Sequence, residues 1–168
     1  MKRLIAFYSR ADENYFGGKI QTIEVGNTEK VAHMMAEVIG ADLFKIEQKV
    51  PYAKKYKTCT EEAKRDKDNN LRPELLALPK NLDEYDEIYL GYPNYWGTMP
   101  MAVFTFLESF NWEGKVIYPF CTHEGSGMGN SVSDIVSVAK GAIVKKGLAI
   151  VGSKVAIAKE DIKQWLMK

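Results

Sequence analysis

The sequence predicts an α/β chain built as a doubly wound sheet, with parallel strands buried between helical layers. Short apolar runs recur at 4–8, 43–46, 88–92, 116–120 and 148–151, and amphipathic helical patterns lie between them. The runs are rich in Ile, Val, Leu, Phe and Tyr and alternate only weakly, as strands do when both faces are covered. Three glycine-containing loops each lead from an apolar run into a helical pattern, at 26–34, 91–100 and 121–131. In open sheets of this class ligands sit outside the carboxyl ends of the strands, where such loops fall.

The first run, Arg3 to Ser9, continues through a long polar stretch to a helix in which Val31, Met34, Met35 and Val38 recur at helical spacing. After the second run, the charged stretch from Thr60 to about Asn70 reads as a helix with a thin apolar face. The third run precedes the stripe Val103, Phe106, Leu107 and Phe110, and the fourth precedes Val132, Ile135, Val136 and Ala139. The fifth starts at Leu148, or as early as Ala142. Ile162, Trp165 and Leu166 form the last stripe.

A length of 168 residues suits one well-buried core, so 1–168 is expected to be a single domain. Hydrophobic content of 46% and charged content of 27% are near globular averages and argue against a disordered tail or a solenoid. Cys59 and Cys121 form no CxxC and read as free thiols in a reducing compartment. The opening apolar stretch stops at Ser9-Arg10-Ala11-Asp12-Glu13, too short for a secretory segment, and no stretch approaches the ~20 apolar residues of a membrane span. The expected setting is cytoplasmic, away from membranes. A net charge of +1, with no stripe of interleaved aromatic and basic residues, argues against nucleic acid as a partner. No metal site is expected.

The loops carry the chemistry. Free amides at a helix start make a phosphate site, and Gly26, Asn27 and Thr28 stand at such a start. Asn27 and Thr28 are expected to cap the helix, Ser9 to add a hydroxyl from the end of the first strand, and Arg10 to add a fixed charge. The second loop carries two flat side chains, Tyr95 and Trp96, between Pro93 and Gly97. Pro93 fixes the loop's entry, with Asn94 beside it, and Gly97 permits a backbone rotation that a Cβ resists. Glycines of the third loop, Gly125 and Gly127 among them, let backbone amides approach a ligand edge, with Thr122 and Ser126 as supplementary donors. His123 and Glu124 read either as a neighbouring acid and base or as a histidine that holds the loop. Together the loops outline one ligand with a phosphate tail and a flat ring. A Walker loop is excluded because no GxxxxGK[ST] occurs, and a dinucleotide fingerprint fails because Asn130 stands at its last glycine.

Two segments keep alternative readings. Residues 11–25 contain Gly17-Gly18 between aromatic and apolar residues, a hairpin signal; the excursion is either a lid over the ligand or packed on the surface. Lys45–Arg72 holds nine Lys or Arg against five Asp or Glu. It reads as a solvated helix and loop, or as a docking face for a nucleotide phosphate or an acidic partner.

These motifs resemble the flavodoxin family, in particular a subgroup with an extended first loop. The shared residues are Tyr8-Ser9-Arg10-Ala11, Glu13-Asn14, Gly17-Gly18, Ile20, Val25-Gly26-Asn27-Thr28-Glu29 and Ala32. The blocks Gly91–Pro100 and Phe120–Ser131 complete the resemblance, which spans nearly the whole chain. It implies five parallel strands in the order 2-1-3-4-5, with FMN as cofactor at the switch point. The candidate cofactor residues are then Ser9, Arg10, Gly26, Asn27, Thr28, Pro93, Asn94, Tyr95, Trp96, Gly97, Thr122, His123, Gly125, Ser126 and Gly127, with no catalytic side chain. Where related short loops carry Thr before Gly-Asn-Thr, this chain has Val25, and Arg10 is expected to compensate. The implied role is electron transfer through bound flavin to a redox partner protein or a small-molecule acceptor such as a quinone. The near-neutral charge departs from the acidic surface of electron carriers. An FMN-dependent NAD(P)H:quinone-type reductase is therefore the first alternative, and a non-catalytic flavin-binding sensor the second.

Overall fold

The computed structural model describes residues 1–168. The elements run β1 (Arg3–Phe7), β2 (Asp12–Phe16), β3 (Lys19–Ile23), α1 (Asn27–Ile39), β4 (Asp42–Lys45), α2 (Tyr56–Asp68), β5 (Glu87–Pro93), α3 (Met101–Glu108), β6 (Val116–His123), α4 (Ser131–Val138), β7 (Ile143–Val144), β8 (Leu148–Val151) and α5 (Lys159–Leu166). Short 3-10 turns cover Leu82–Glu84 and Gly152–Ile157.

The main sheet has the order β4-β1-β5-β6-β7, with β8 also paired to β6, and every pairing is parallel. Counted by position, this is the expected 2-1-3-4-5 order, with the fifth place shared by β7 and β8. The interruption has a local cause. Ile117 faces Val144 and Phe120 faces Leu148, so three residues, Lys145–Gly147, oppose two on β6. One of those two is Pro119, which has no N–H to offer a ladder.

Alternate residues of the central strands serve opposite faces. Leu4 and Ala6 of β1, with Tyr8 just after it, join Ile88, Leu90 and Tyr92 of β5 in a core closed by Val103, Phe106 and Leu107 of α3 and Ile135 of α4. Ile5, Phe7 and Tyr89 face the other way, against Val31, Ala32 and Met35 of α1 and Ile162 of α5. Both faces are buried, which is why the strands read as apolar runs rather than as alternating ones.

The helical stripes differ from expectation in places. On α1 the buried positions are Thr28, Val31, Ala32 and Met35, while Val38 turns to solvent. On α4 Ile135 is buried and Val136 is exposed. Helix α2 begins at Tyr56, four residues before the expected start, and buries Cys59, Ala63 and Asp66. Asp66 accepts the Tyr52 hydroxyl at 2.7 Å, so a carboxylate lies on the inner face of a charged helix.

Residues 12–23 form the hairpin that the glycine pair signalled. Gly17 and Gly18 have φ of +63° and +81°, the mirror-image turn that matches the twist of the flanking strands. No helix is long and apolar enough to cross a membrane.

Candidate functional site

A cavity of about 470 Å³ opens at the carboxyl ends of β1, β5 and β6. All three predicted loops contribute to its wall, together with the β2–β3 hairpin and one face of α2. Of the candidate residues, Arg10, Asn27, Thr28, Pro93, Asn94, Tyr95, Trp96, Gly97, Thr122, His123 and Ser126 line it. Ser9, Gly26, Gly125 and Gly127 are not part of the lining, and Ser9 and Gly26 stand behind it as supports.

The start of α1 departs from the expected capping. Gly26 is the N-cap, and neither Asn27 nor Thr28 caps with its side chain. Ser9 does so instead: its Oγ accepts the N–H of Glu29 at 3.0 Å. The N-cap glycine has no side chain to reach that amide, and the segment just after β1 brings Ser9 there. The Thr28 hydroxyl lies 2.7 Å from that of Thr122, inside the protein. The N–H groups of Gly26, Asn27 and Thr28 donate to no protein atom. Three free amides at the positive end of a helix form an anion site. Gly26 is needed for close approach, since a Cβ there would lie 2.2 Å from Ser9 Oγ and 2.5 Å from the Arg10 carbonyl oxygen.

Arg10 lines the cavity, and its guanidinium is held by backbone carbonyls. Its Nε donates to the Glu13 carbonyl at 3.0 Å and its Nη2 to the Lys54 carbonyl at 2.6 Å. The Asn14 amide donates back to the Arg10 carbonyl at 2.9 Å. Arg10 therefore latches the hairpin to the segment before α2, because two backbone carbonyls lie within its rigid fork. The hairpin in turn supplies Asn14, Tyr15 and Phe16 to the cavity wall, and Tyr15 packs on Tyr56 with ring centroids 6.1 Å apart. The hairpin thus walls the cavity while it packs on the segment around the start of α2.

The second loop is a reverse turn closed by Tyr95 and Thr98, whose N–H groups donate to each other's carbonyls at 2.8 and 3.3 Å. Trp96 and Gly97 at its tip have φ of +56° and +86°. The glycine tolerates that region, whereas tryptophan is strained by about 1–2 kcal/mol. Asn94 ties the turn down: its Oδ1 accepts the Gly97 N–H and its Nδ2 donates to the Gly127 carbonyl, both at 2.9 Å. The Gly97 carbonyl accepts the Asn130 N–H at 2.8 Å, so a rotation of that peptide must break a bond. Gly129 permits the contact, since a Cβ there would come within 2.3 Å of the Gly97 oxygen.

The two aromatic residues are not equivalent. Trp96 is 48% exposed at the rim, with its indole N–H donated to the Thr60 carbonyl at 3.0 Å. Tyr95 packs edge-on against Tyr8 at 6.0 Å, and its hydroxyl is buried with no oxygen or nitrogen partner, only the Cys59 thiol beside it. Burial holds its phenol well above the ordinary value.

In the third loop Gly125 and Gly127 take φ of +122° and +63°. His123 Nδ1 accepts the Gly125 N–H at 2.9 Å, and Glu124 Oε1 accepts the Ser153 N–H at 3.1 Å. Of the two readings, these residues hold the loop, and they form no acid–base pair. Thr122 is buried against Thr28 rather than presented as a free donor. Both cysteines are free and buried; burial raises the Cys59 thiol and pushes that of Cys121 up to about 12. No group of His, Cys, Asp and Glu is placed to hold a metal.

The α2 wall, Tyr56, Cys59, Thr60 and Ala63, was absent from the sequence reading. No motif marks it, because its contribution depends on how a polar helix packs beside the second loop.

Comparison with known proteins agrees with this architecture. The chain is 25% identical to a candidate flavoprotein from Bacteroides uniformis ATCC 8492, with a TM-score of 0.75 over 99% of this chain and 98% of that one. A candidate flavoprotein from Bacteroides eggerthii DSM 20697 is 24% identical, with a TM-score of 0.76 over 98% and 95%. A flavoprotein from Lactobacillus acidophilus NCFM, solved in complex with FMN, is 21% identical, with a TM-score of 0.66 over 93% and 97%. A search of curated proteins finds no match. The family model described as Flavodoxin matches residues 21–168, from β3 through α5, and so takes in the start of α1 and both later loops. By that match, and with the strand order to accompany it, the chain belongs to the flavodoxin family.

Proposed function

We propose that the chain is an FMN-binding redox protein that passes electrons through the bound flavin. One observation carries the reading: Asn27 and Thr28, at a helix start whose first amides are free, line the same cavity as the Trp96 turn. An anion site at one end and an aromatic rim at the other suit a phosphate joined to a flat ring. The residues present fit FMN. The 26–28 amides would hold its phosphate, and Trp96 would cover its ring and exclude water. FMN, when bound, supplies the redox chemistry. The protein's part is to bind, to hold the loops through Asn94, His123 and Glu124, and to tune the electrostatics.

Purified protein should be yellow, and apoprotein should bind FMN in a visible-absorbance titration. A colourless preparation that gains no flavin bands on adding FMN would overturn the reading. Electron transfer is tested separately, by flavin reduction with a reductase partner or a chemical donor followed by reoxidation.

A second reading, an FMN-dependent NAD(P)H:quinone-type reductase, draws on the hairpin and α2. They enclose the cavity with Tyr15, Phe16 and Tyr56 beyond what the three loops supply. The near-neutral charge also gives little steering toward a basic carrier partner. Steady-state turnover of NAD(P)H with a quinone would favour it, and absence of turnover would leave the carrier reading.

A further inference from the structure

Helix α2 presents Thr60, Lys64 and Lys67 at i, i+4 and i+7, one stripe on its surface. All three meet the same residue. The Thr60 carbonyl accepts the Trp96 indole N–H at 3.0 Å, Lys64 Nζ lies 5.9 Å from the centre of the indole ring, and Lys67 Nζ donates to the Trp96 carbonyl at 2.6 Å. Trp96 is one of three non-glycine residues with positive φ, so its backbone needs support from outside the turn. The two ammonium groups differ in one respect. Lys64 also pairs with Asp68 at 2.6 Å, which offsets its charge, whereas Lys67 has no carboxylate partner.

We infer that Lys67 is a positioning residue that raises the reduction potential of the bound cofactor. The inference rests on the FMN reading above. Lys67 holds the Trp96–Gly97 turn in its left-handed conformation and keeps an uncompensated positive charge beside the turn. A positive charge near the ring favours its electron-rich reduced form over the neutral oxidised form. The basic excess of residues 45–72 thereby gains a specific member with a task, distinct from a solvated surface. The side chain donates to a backbone carbonyl that accepts no other hydrogen bond, so its removal releases the turn and takes away the charge.

The test compares FMN-loaded wild type with Lys67→Met, Lys67→Arg and, as a control, Lys140→Met, which removes an exposed lysine outside the cavity wall. Lys67→Met should bind oxidised FMN as tightly as wild type and bind reduced FMN about tenfold less tightly. That tenfold equals a fall of about 30 mV in the two-electron midpoint potential. Lys67→Arg should keep the wild-type potential, and Lys140→Met should leave it in place. In apoprotein, the amide and indole N–H resonances of Trp96 should move in Lys67→Met and stay put in Lys140→Met. An unchanged potential in Lys67→Met overturns the inference, as does an equal fall in Lys140→Met, which would assign the effect to net charge. If wild type takes up no FMN, the FMN reading falls and carries this inference with it. Normal uptake with an unmoved potential removes the inference alone.

Discussion

The hydroxyls of Thr28 and Thr122 lie 2.7 Å apart, although 94 residues separate them in the chain. One comes from the start of α1 and the other from the end of β6, and both are buried. A hydroxyl pair shares one of its two protons, and the second remains for a neighbour. The bond joins the first loop to the third and sets the distance between the anion site and the far wall.

Breaking that pair should be read in stability. Thr28→Val leaves the Thr122 hydroxyl buried without its partner and should cost about 1–3 kcal/mol in urea unfolding of the apoprotein. Thr122→Val should cost a similar amount. The double variant should lose less than the two single losses added, because no orphan hydroxyl remains. Strictly additive losses would mean that the hydroxyls do not interact.

Tyr95 offers the opposite sign. Its hydroxyl is buried with only the Cys59 thiol, a weak partner, beside it, so Tyr95→Phe removes a desolvation penalty and at most a weak contact. The apoprotein should become more stable, by up to about 1 kcal/mol. Flavin fluorescence in the loaded protein should stay quenched in Tyr95→Phe and recover in part in Trp96→Ala. A destabilised Tyr95→Phe would reveal a partner for the hydroxyl.

The phosphate site and the hairpin latch are separable by comparing FMN with riboflavin. Hydrogen bonds to a charged group contribute about 1.5–3 kcal/mol each, so FMN should bind at least about tenfold more tightly than riboflavin. Gly26→Ala forces a Cβ onto Ser9 Oγ and the Arg10 carbonyl and should abolish most of that preference. Arg10→Ala should weaken both ligands by a similar factor, since its guanidinium holds the hairpin through Glu13 and Lys54. A loss confined to FMN in Arg10→Ala would return that charge to the phosphate.

The buried thiols give a pH dependence of known sign. Burial lifts Cys121 from an ordinary value of 9.0 to about 12 in the folded chain. Above pH 9 the unfolded chain releases this proton while the folded chain keeps it. Stability is therefore lost as pH rises from about 9 to about 12, by up to about 1.4 kcal/mol per pH unit from this group. Cys121→Ser or Cys121→Ala should flatten the alkaline limb of a stability-versus-pH curve. Native protein at pH 8 should also react slowly with thiol reagents, and rapid modification of Cys121 would contradict its burial.

Much of this protein could be read in one dimension. The five strand positions, the helices between them and the hairpin turn at Gly17-Gly18 depend on interactions within a few residues, namely periodicity and glycine φ. The three ligand loops were legible for the same reason, since free amides, a proline entry and paired aromatics are local features. Fold and loop placement thus followed from the sequence.

What each side chain does was decided by contacts that the sequence does not order. Ser9 took the cap expected of Asn27 and Thr28 because β1 ends beside the start of α1. Arg10 latches the hairpin because the Glu13 and Lys54 carbonyls lie within its reach. Tyr95 and Trp96, adjacent in sequence, parted into a half-buried position against Tyr8 and an exposed rim position held by α2. The grip of α2 on that turn joins residues 29 and 36 positions apart. A hydrogen bond between distant residues depends on angle and reach to within tenths of an ångström, and only the packed chain sets those quantities. Sequence marked the loops that wall the cavity, and tertiary structure determined which of their atoms were left free.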